Sequence, residues 1–309
     1  MRSLVIFFLV VFFFAAVSCA AQLPQGWTGD EIAKFQQQAD SGNTDAMYNL
    51  GMIYKNAWGV EADYSLAFEW FEKAAHAENP NAMLALGTMY RLGWGVAQNY
   101  PQASWWFSRA ARLGNIGANY NLGFAYETGQ GVIRDIEKAK DCYLKSAEGG
   151  HSGAMLALGN LYYKGLIYGG IPGEAVDWYR KSADSGNMRA MYNLALLYKY
   201  GWLVDENPDR AIEWLEKAVD AGSTQAMVLL GEMHEFGDLV DIDYKKALSY
   251  YARAAVQGDR KGMRQLALMF EVGRGTEKNM QTAMAWYERA VQFGDDESQQ
   301  MFAALSERN

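Results

Sequence analysis

The chain has 309 residues, 50% hydrophobic and 21% charged, enough apolar material for a large core and too much for a disordered chain. A formal net charge of −8 argues against a nucleic-acid partner. Its two cysteines, Cys19 and Cys142, leave no disulfide framework, so packing must supply the stability.

The chain opens on MRSLVIFFLVVFFFAAVSCAA, residues 1–21: Arg2, an apolar run from Leu4 to Val17, then small residues. This is the layout of a secretory signal peptide, and the run is short for a membrane span. Two outcomes stay open. Cleavage after Ala20 or Ala21 releases a soluble protein, whereas Ala16-Val17-Ser18-Cys19 resembles a bacterial lipobox, in which Cys19 would carry a lipid anchor. The expected location is therefore the periplasm, or the outer membrane as a lipoprotein facing the periplasm. Any membrane contact is expected through Cys19 alone.

Residues 22–44 hold one predicted helix, GDEIAKFQQQADSGN at 29–43. From residue 45 the chain repeats itself. AMYNLGMIY at 46–54 returns as AMLALGTMY at 82, ANYNLGFAY at 118, AMLALGNLY at 154, AMYNLALLY at 190, AMVLLGEMH at 226 and GMRQLALMF at 262, always 36 residues apart. Ala46, Leu50 and Tyr54 fall four apart and share one helix face. A second phrase, with Ala67, Trp70 and Ala74 in its first copy, predicts a partner helix whose tryptophan stripe belongs to the core. Cys142 interrupts that stripe and is expected as a small buried filler. Glycines in RLGWGV at 91–96 and ETGQGV at 127–132, and again at Gly114 and Gly150, mark the helix ends. One hairpin cannot bury both of its faces, so the hairpins must stack. Residues 296–309 close the chain with one more predicted helix. The expectation is an all-α, right-handed α-solenoid: seven 36-residue hairpins over 45–295 and a half-repeat cap at each end, 16 helices in all.

The pattern A-x-x-x-L-G-x-x-Y, G-x-G-V, A-x-x-W-[YF]-x-x-A-A-x-x-G is complete in NAMLALGTMYRLGWGVAQNYPQASWWFSRAARLGN at 81–115. It resembles the Sel-one-like repeat, a relative of the tetratricopeptide repeat, over residues 45–295. The resemblance implies an interaction scaffold of the kind found in bacterial periplasms, at outer membranes and in the endoplasmic reticulum. One branch of that family, linked to penicillin binding or β-lactam hydrolysis, carries a cysteine pair in each repeat. This chain lacks those cysteines, so that activity is not implied. Ala57 replaces a loop glycine in the first repeat, and Ile167-Tyr168 in the fourth predicts an altered loop.

No catalytic, cofactor or metal residues are expected. His76, His151 and His234 fall on a second helix, a turn and a first helix, too scattered for a zinc site or a triad. Recognition is expected instead on the first helices, taken to line a groove. Tyr48-Asn49, Tyr120-Asn121 and Tyr192-Asn193 alternate with Leu84-Ala85 and Leu156-Ala157, offering amides for a peptide backbone and amphipathic contact area. The position after the phrase adds Lys55, Arg91 and Lys199 in some repeats and Glu127, Glu235 and Glu271 in others, for a groove expected to be basic in its first half and acidic in its last third. The predicted function is non-enzymatic binding of a protein or peptide partner. The alternatives are a periplasmic immunity-type inhibitor of a secreted toxic enzyme and, less favoured, an envelope enzyme or glycan-binding module. A duplicated pair of repeats that never acquired a ligand would leave the same alternation.

Overall fold

Across residues 28–306, which the computed structural model describes, the register becomes sixteen helices and no strand. The segment expected to be a signal peptide, with Cys19, lies outside the described residues. The helices fall into two compact units, one up to Ala110 and one from Ala111 onward.

The first unit holds α1 (Gly29–Asp40), α2 (Thr44–Asn56), α3 (Tyr64–His76), α4 (Pro80–Leu92) and all but the last two residues of α5 (Tyr100–Arg112). In the second are α6 (Ile116–Thr128), α7 (Ile136–Glu148), α8 (Ser152–Tyr163), α9 (Glu174–Asp184), α10 (Met188–Tyr200) and α11 (Pro208–Asp220). It continues with α12 (Thr224–Phe236), α13 (Tyr244–Val256), α14 (Arg260–Val272), α15 (Met280–Gln292) and α16 (Asp296–Ser306). The fold is a solenoid of helical hairpins, in which even-numbered helices from α2 to α14 begin each repeat.

Short polar side chains start these helices. Asn43 Oδ1 accepts from the Asp45 and Ala46 amides, and Asn79, Asn187 and Ser223 cap α4, α10 and α12 at the same register. Glycine ends most first helices in the left-handed region, but Ala57 takes that conformation at φ 57° with a Cβ in place. Within a hairpin, the glycine after the invariant leucine lets a ring lie flat on the first helix. A Cβ at Gly51 would sit 2.5 Å from Phe71, and one at Gly231 2.5 Å from Tyr251.

The tryptophan stripe divides. Trp70 and Trp106 are buried, but Trp178, Trp214 and Trp286 are half-buried. The deepest rings sit one residue later, at Phe71, Phe107, Tyr143, Tyr251 and Tyr287. Trp70 and Trp106 thus belong to the core and the later tryptophans to its edge, and a cation one turn on covers the ring in both: Lys73 over Trp70 at 4.2 Å, Lys181 over Trp178 at 4.2 Å, Lys217 over Trp214 at 4.3 Å. Cys142 shares that edge register and is a half-buried free thiol, not a core filler. Burial pushes the thiol pKa up. The fourth repeat does alter its loop. There α8 ends on Lys164 in the right-handed region, and α9 starts without a side-chain cap.

Candidate functional site

One register position shows how packing disposes of charge. The residue after the phrase reads Lys55, Arg91, Glu127, Tyr163, Lys199, Glu235, Glu271; sixteen residues on stand Phe71, Phe107, Tyr143, Tyr179, Leu215, Tyr251, Tyr287. Each glutamate meets a tyrosine. Tyr143, Tyr251 and Tyr287 donate their hydroxyls to Glu127, Glu235 and Glu271 at 2.7, 2.9 and 2.8 Å. Burial first, and the adjoining carboxylate with it, raises these tyrosines well above their ordinary range, so they stay protonated donors. Where the position holds a cation, the residue sixteen on is Phe or Leu, which offers it no acceptor. The carboxylates expected to make the groove acidic are thus acceptors for buried tyrosines. That signal was present in the sequence as a pairing sixteen residues apart.

A second coupling, 39 residues ahead, reaches the next repeat's loop. Lys199 pairs with Asp238, and Arg274 donates to Glu235 at 2.8 Å. Lys199, expected as an open groove cation, is only 7% exposed with its charge held by Asp238.

In the first unit, Tyr48 and Lys55 come together in a pocket of about 200 Å³ with Met52 on α2, Leu84, Ala85, Thr88 and Met89 on α4, and Trp94. Tyr48 packs on Phe71 with ring centroids 5.7 Å apart, and burial raises its hydroxyl pKa. Burial lowers the Lys55 ammonium. Tyr64 backs Trp94, with centroids 5.6 Å apart. Asn49 is half-buried; Arg91 is half-buried too, with its Nε inaccessible and without a hydrogen-bond partner among the described residues.

In the second unit, a pocket of about 230 Å³ is lined by Asn160, Tyr163, Asn193, Leu196, Leu197 and Trp202. These are the positions of Met52, Lys55, Ala85, Thr88, Met89 and Trp94 moved on by 108 residues, three repeats. The Tyr179 hydroxyl donates to Asn160 at 2.9 Å, with Asn193 as a further hydrogen-bond partner. Tyr192 lines a different pocket, of about 310 Å³, with Gln225, Val228, Leu229 and Glu232. That lining repeats the Tyr48, Asn81, Leu84, Ala85 and Thr88 positions four repeats on. Tyr120 stacks on His151 at 4.6 Å and tilts against Tyr143, while Asn121 is half-buried. So the first-helix face repeats a pocket that combines apolar side chains with several polar ones. Among the described residues, no cluster of His, Cys, Asp and Glu could hold a metal ion, and no helix is long and apolar enough to cross a membrane.

Comparison with known proteins agrees with this register. The Sel1 repeat profile matches seven consecutive stretches, residues 44–79, 80–115, 116–151, 152–187, 189–223, 224–259 and 260–294. The chain is similar to a crystal structure of c5321, a protective antigen of uropathogenic Escherichia coli displaying an SLR fold, at 33% identity and TM-score 0.67. That match covers 90% of this chain and 60% of the E. coli chain, so this chain spans less than two thirds of that relative. A Sel1 repeat protein from Oxalobacter formigenes matches at 28% identity and TM-score 0.72, over 89% of this chain and 80% of its own. Yeast Tom70, at 11% identity and TM-score 0.57 over 90% of this chain and 58% of its own, shares the fold alone. No curated protein matches the chain.

Proposed function

Starting from a chain that belongs to the Sel1 repeat family, we propose a non-enzymatic scaffold that receives a peptide or protein partner on its first helices. One observation carries this reading. The Lys55–Trp94 pocket recurs at Tyr163–Trp202 three repeats later, each an apolar recess with a few polar groups. Such recesses suit side-chain anchors of a partner, while half-buried amides such as Asn193 can meet its backbone. Specificity is spread over several repeats, so no single residue decides it. The proposal puts the protein in the periplasm, exported by its N-terminal segment and, in the tethered form, held at the outer membrane through Cys19.

The test is purification of the full exported chain from the cell envelope, with mass spectrometry of co-purifying chains and of the mature N-terminus. Tyr48→Ala or Asn193→Ala should weaken affinity for the identified partner about tenfold, a typical loss for an interface anchor, with the fold intact. Unchanged affinity in both variants would remove these pockets from the interface. A single tight partner whose hydrolase activity the chain abolishes would mark the inhibitor reading instead.

A further inference from the structure

The charged residue after the nine-residue phrase is neutralised in some repeats and not in others. Lys199 has Asp238, and Glu235 has both Tyr251 and Arg274. At Lys55 the residue 39 ahead is Trp94, which brings no charge, and the residue sixteen ahead is Phe71, which brings no hydroxyl. Among the described residues no carboxylate forms an ion pair with Lys55, and burial lowers its pKa. Residues 1–27 contain no Asp or Glu to supply one. A half-buried ammonium thus sits between Tyr48, Met52, Thr88 and Trp94 with its desolvation already imposed by the fold.

Resting on the scaffold reading above, we propose that this pocket receives an acidic side chain of the partner, an Asp or Glu flanked by an apolar residue. Charge complementarity selects that occupant. A carboxylate gains a charge-assisted hydrogen bond to an ammonium that has lost part of its water, while Met52 and the exposed ring of Trp94 cover the apolar neighbour. An amide of the same shape accepts from the ammonium but brings no opposite charge, so it gains less.

Met52 and Met89 line the pocket and report on it directly. The full chain, labelled with ¹³C at the methionine methyls, is titrated with the peptides Ac-Leu-Glu-Leu-NH₂ and Ac-Leu-Gln-Leu-NH₂. The expected result is that the Met52 and Met89 signals shift at a concentration at least tenfold lower for the Glu peptide. Lys55→Gln should erase that preference, and Lys55→Arg should keep most of it. Equal response to both peptides overturns the acidic preference and leaves the scaffold reading standing. Response to neither also overturns it, and the scaffold reading then rests on the Tyr48 and Asn193 variants with the purified partner. The wild-type comparison of the two peptides decides the matter even if Lys55→Gln does not fold. Shifts that appear on raising protein concentration alone would assign the pocket to a second copy of this chain and overturn the proposal.

Discussion

Lys55 on α2 and Glu235 on α12 occupy the same register position five repeats apart and have opposite fates. Glu235 is sealed, its side chain 2% exposed, taking one bond from the Tyr251 hydroxyl and another from Arg274. Lys55 stands in an open pocket with neither coupling. The difference lies in neighbours sixteen and 39 residues away, not in the helix that carries the charge. A repeat protein can thus spend one position on stability in some repeats and leave it for recognition in others.

The largest expected effect breaks the sealed end of this comparison. Glu235→Ala strands a buried hydroxyl and leaves Arg274 without its acceptor, and should cost about 3 kcal/mol in chemical denaturation. Lys55→Met should cost less than about 0.5 kcal/mol by the same measurement, since the side chain bonds to nothing among the described residues and keeps its apolar stem. Gly231→Ala pushes a Cβ into the Tyr251 ring that delivers the hydroxyl, so about 2 kcal/mol should be lost. Tyr143→Phe makes the Glu127 site resemble the Phe71 repeat and should cost about 1 kcal/mol. Smaller and of opposite sign, Glu78→Gly should stabilise by about 0.5–1 kcal/mol, because Glu78 holds φ 63° where the other repeats place glycine.

At the closing helix α16 the charge pairing has a pH signature. Burial raises the Asp295 pKa, but hydrogen bonds from Ser298 and Arg264 outweigh it and hold the carboxyl below its ordinary range. A folded pKa below the unfolded value gives stability that is present above the unfolded pKa and lost as pH falls through the folded one. Amide protection factors in α16, taken relative to the intrinsic exchange rate at each pH, should therefore fall on acidification below about pH 4, the ordinary carboxylate range. Protection factors that stayed constant there would mean that Asp295 does not hold this helix.

The helices were legible because the fixed period exposes leucine, alanine and glycine at a constant phase. Sixteen helices follow from the spacing of Leu50 and its successors, with the terminal half-repeats included. The depth of burial within a helix was not legible by the same means. Trp70 and Phe71 are adjacent, and hydrophobicity does not say which faces inward; the Gly51 gap, which admits only the Phe71 ring, does. The candidate site was readable as a face, through Tyr48, Lys55 and Asn193, but not as pockets, because each pocket joins two first helices a repeat apart. Lys199 and Glu235 looked free in a single copy of the repeat. Their neutralising partners lie in other helices and loops, so only a comparison across repeats exposes them.

Trace acylation of lysines in the native full chain, followed by mass spectrometry, tests the difference between open and sealed positions most directly. The account predicts that Lys55 reacts much faster than Lys199, because its ammonium has a lowered pKa and an open pocket while Lys199 is buried against Asp238. Equal rates, or a slower Lys55, would contradict it.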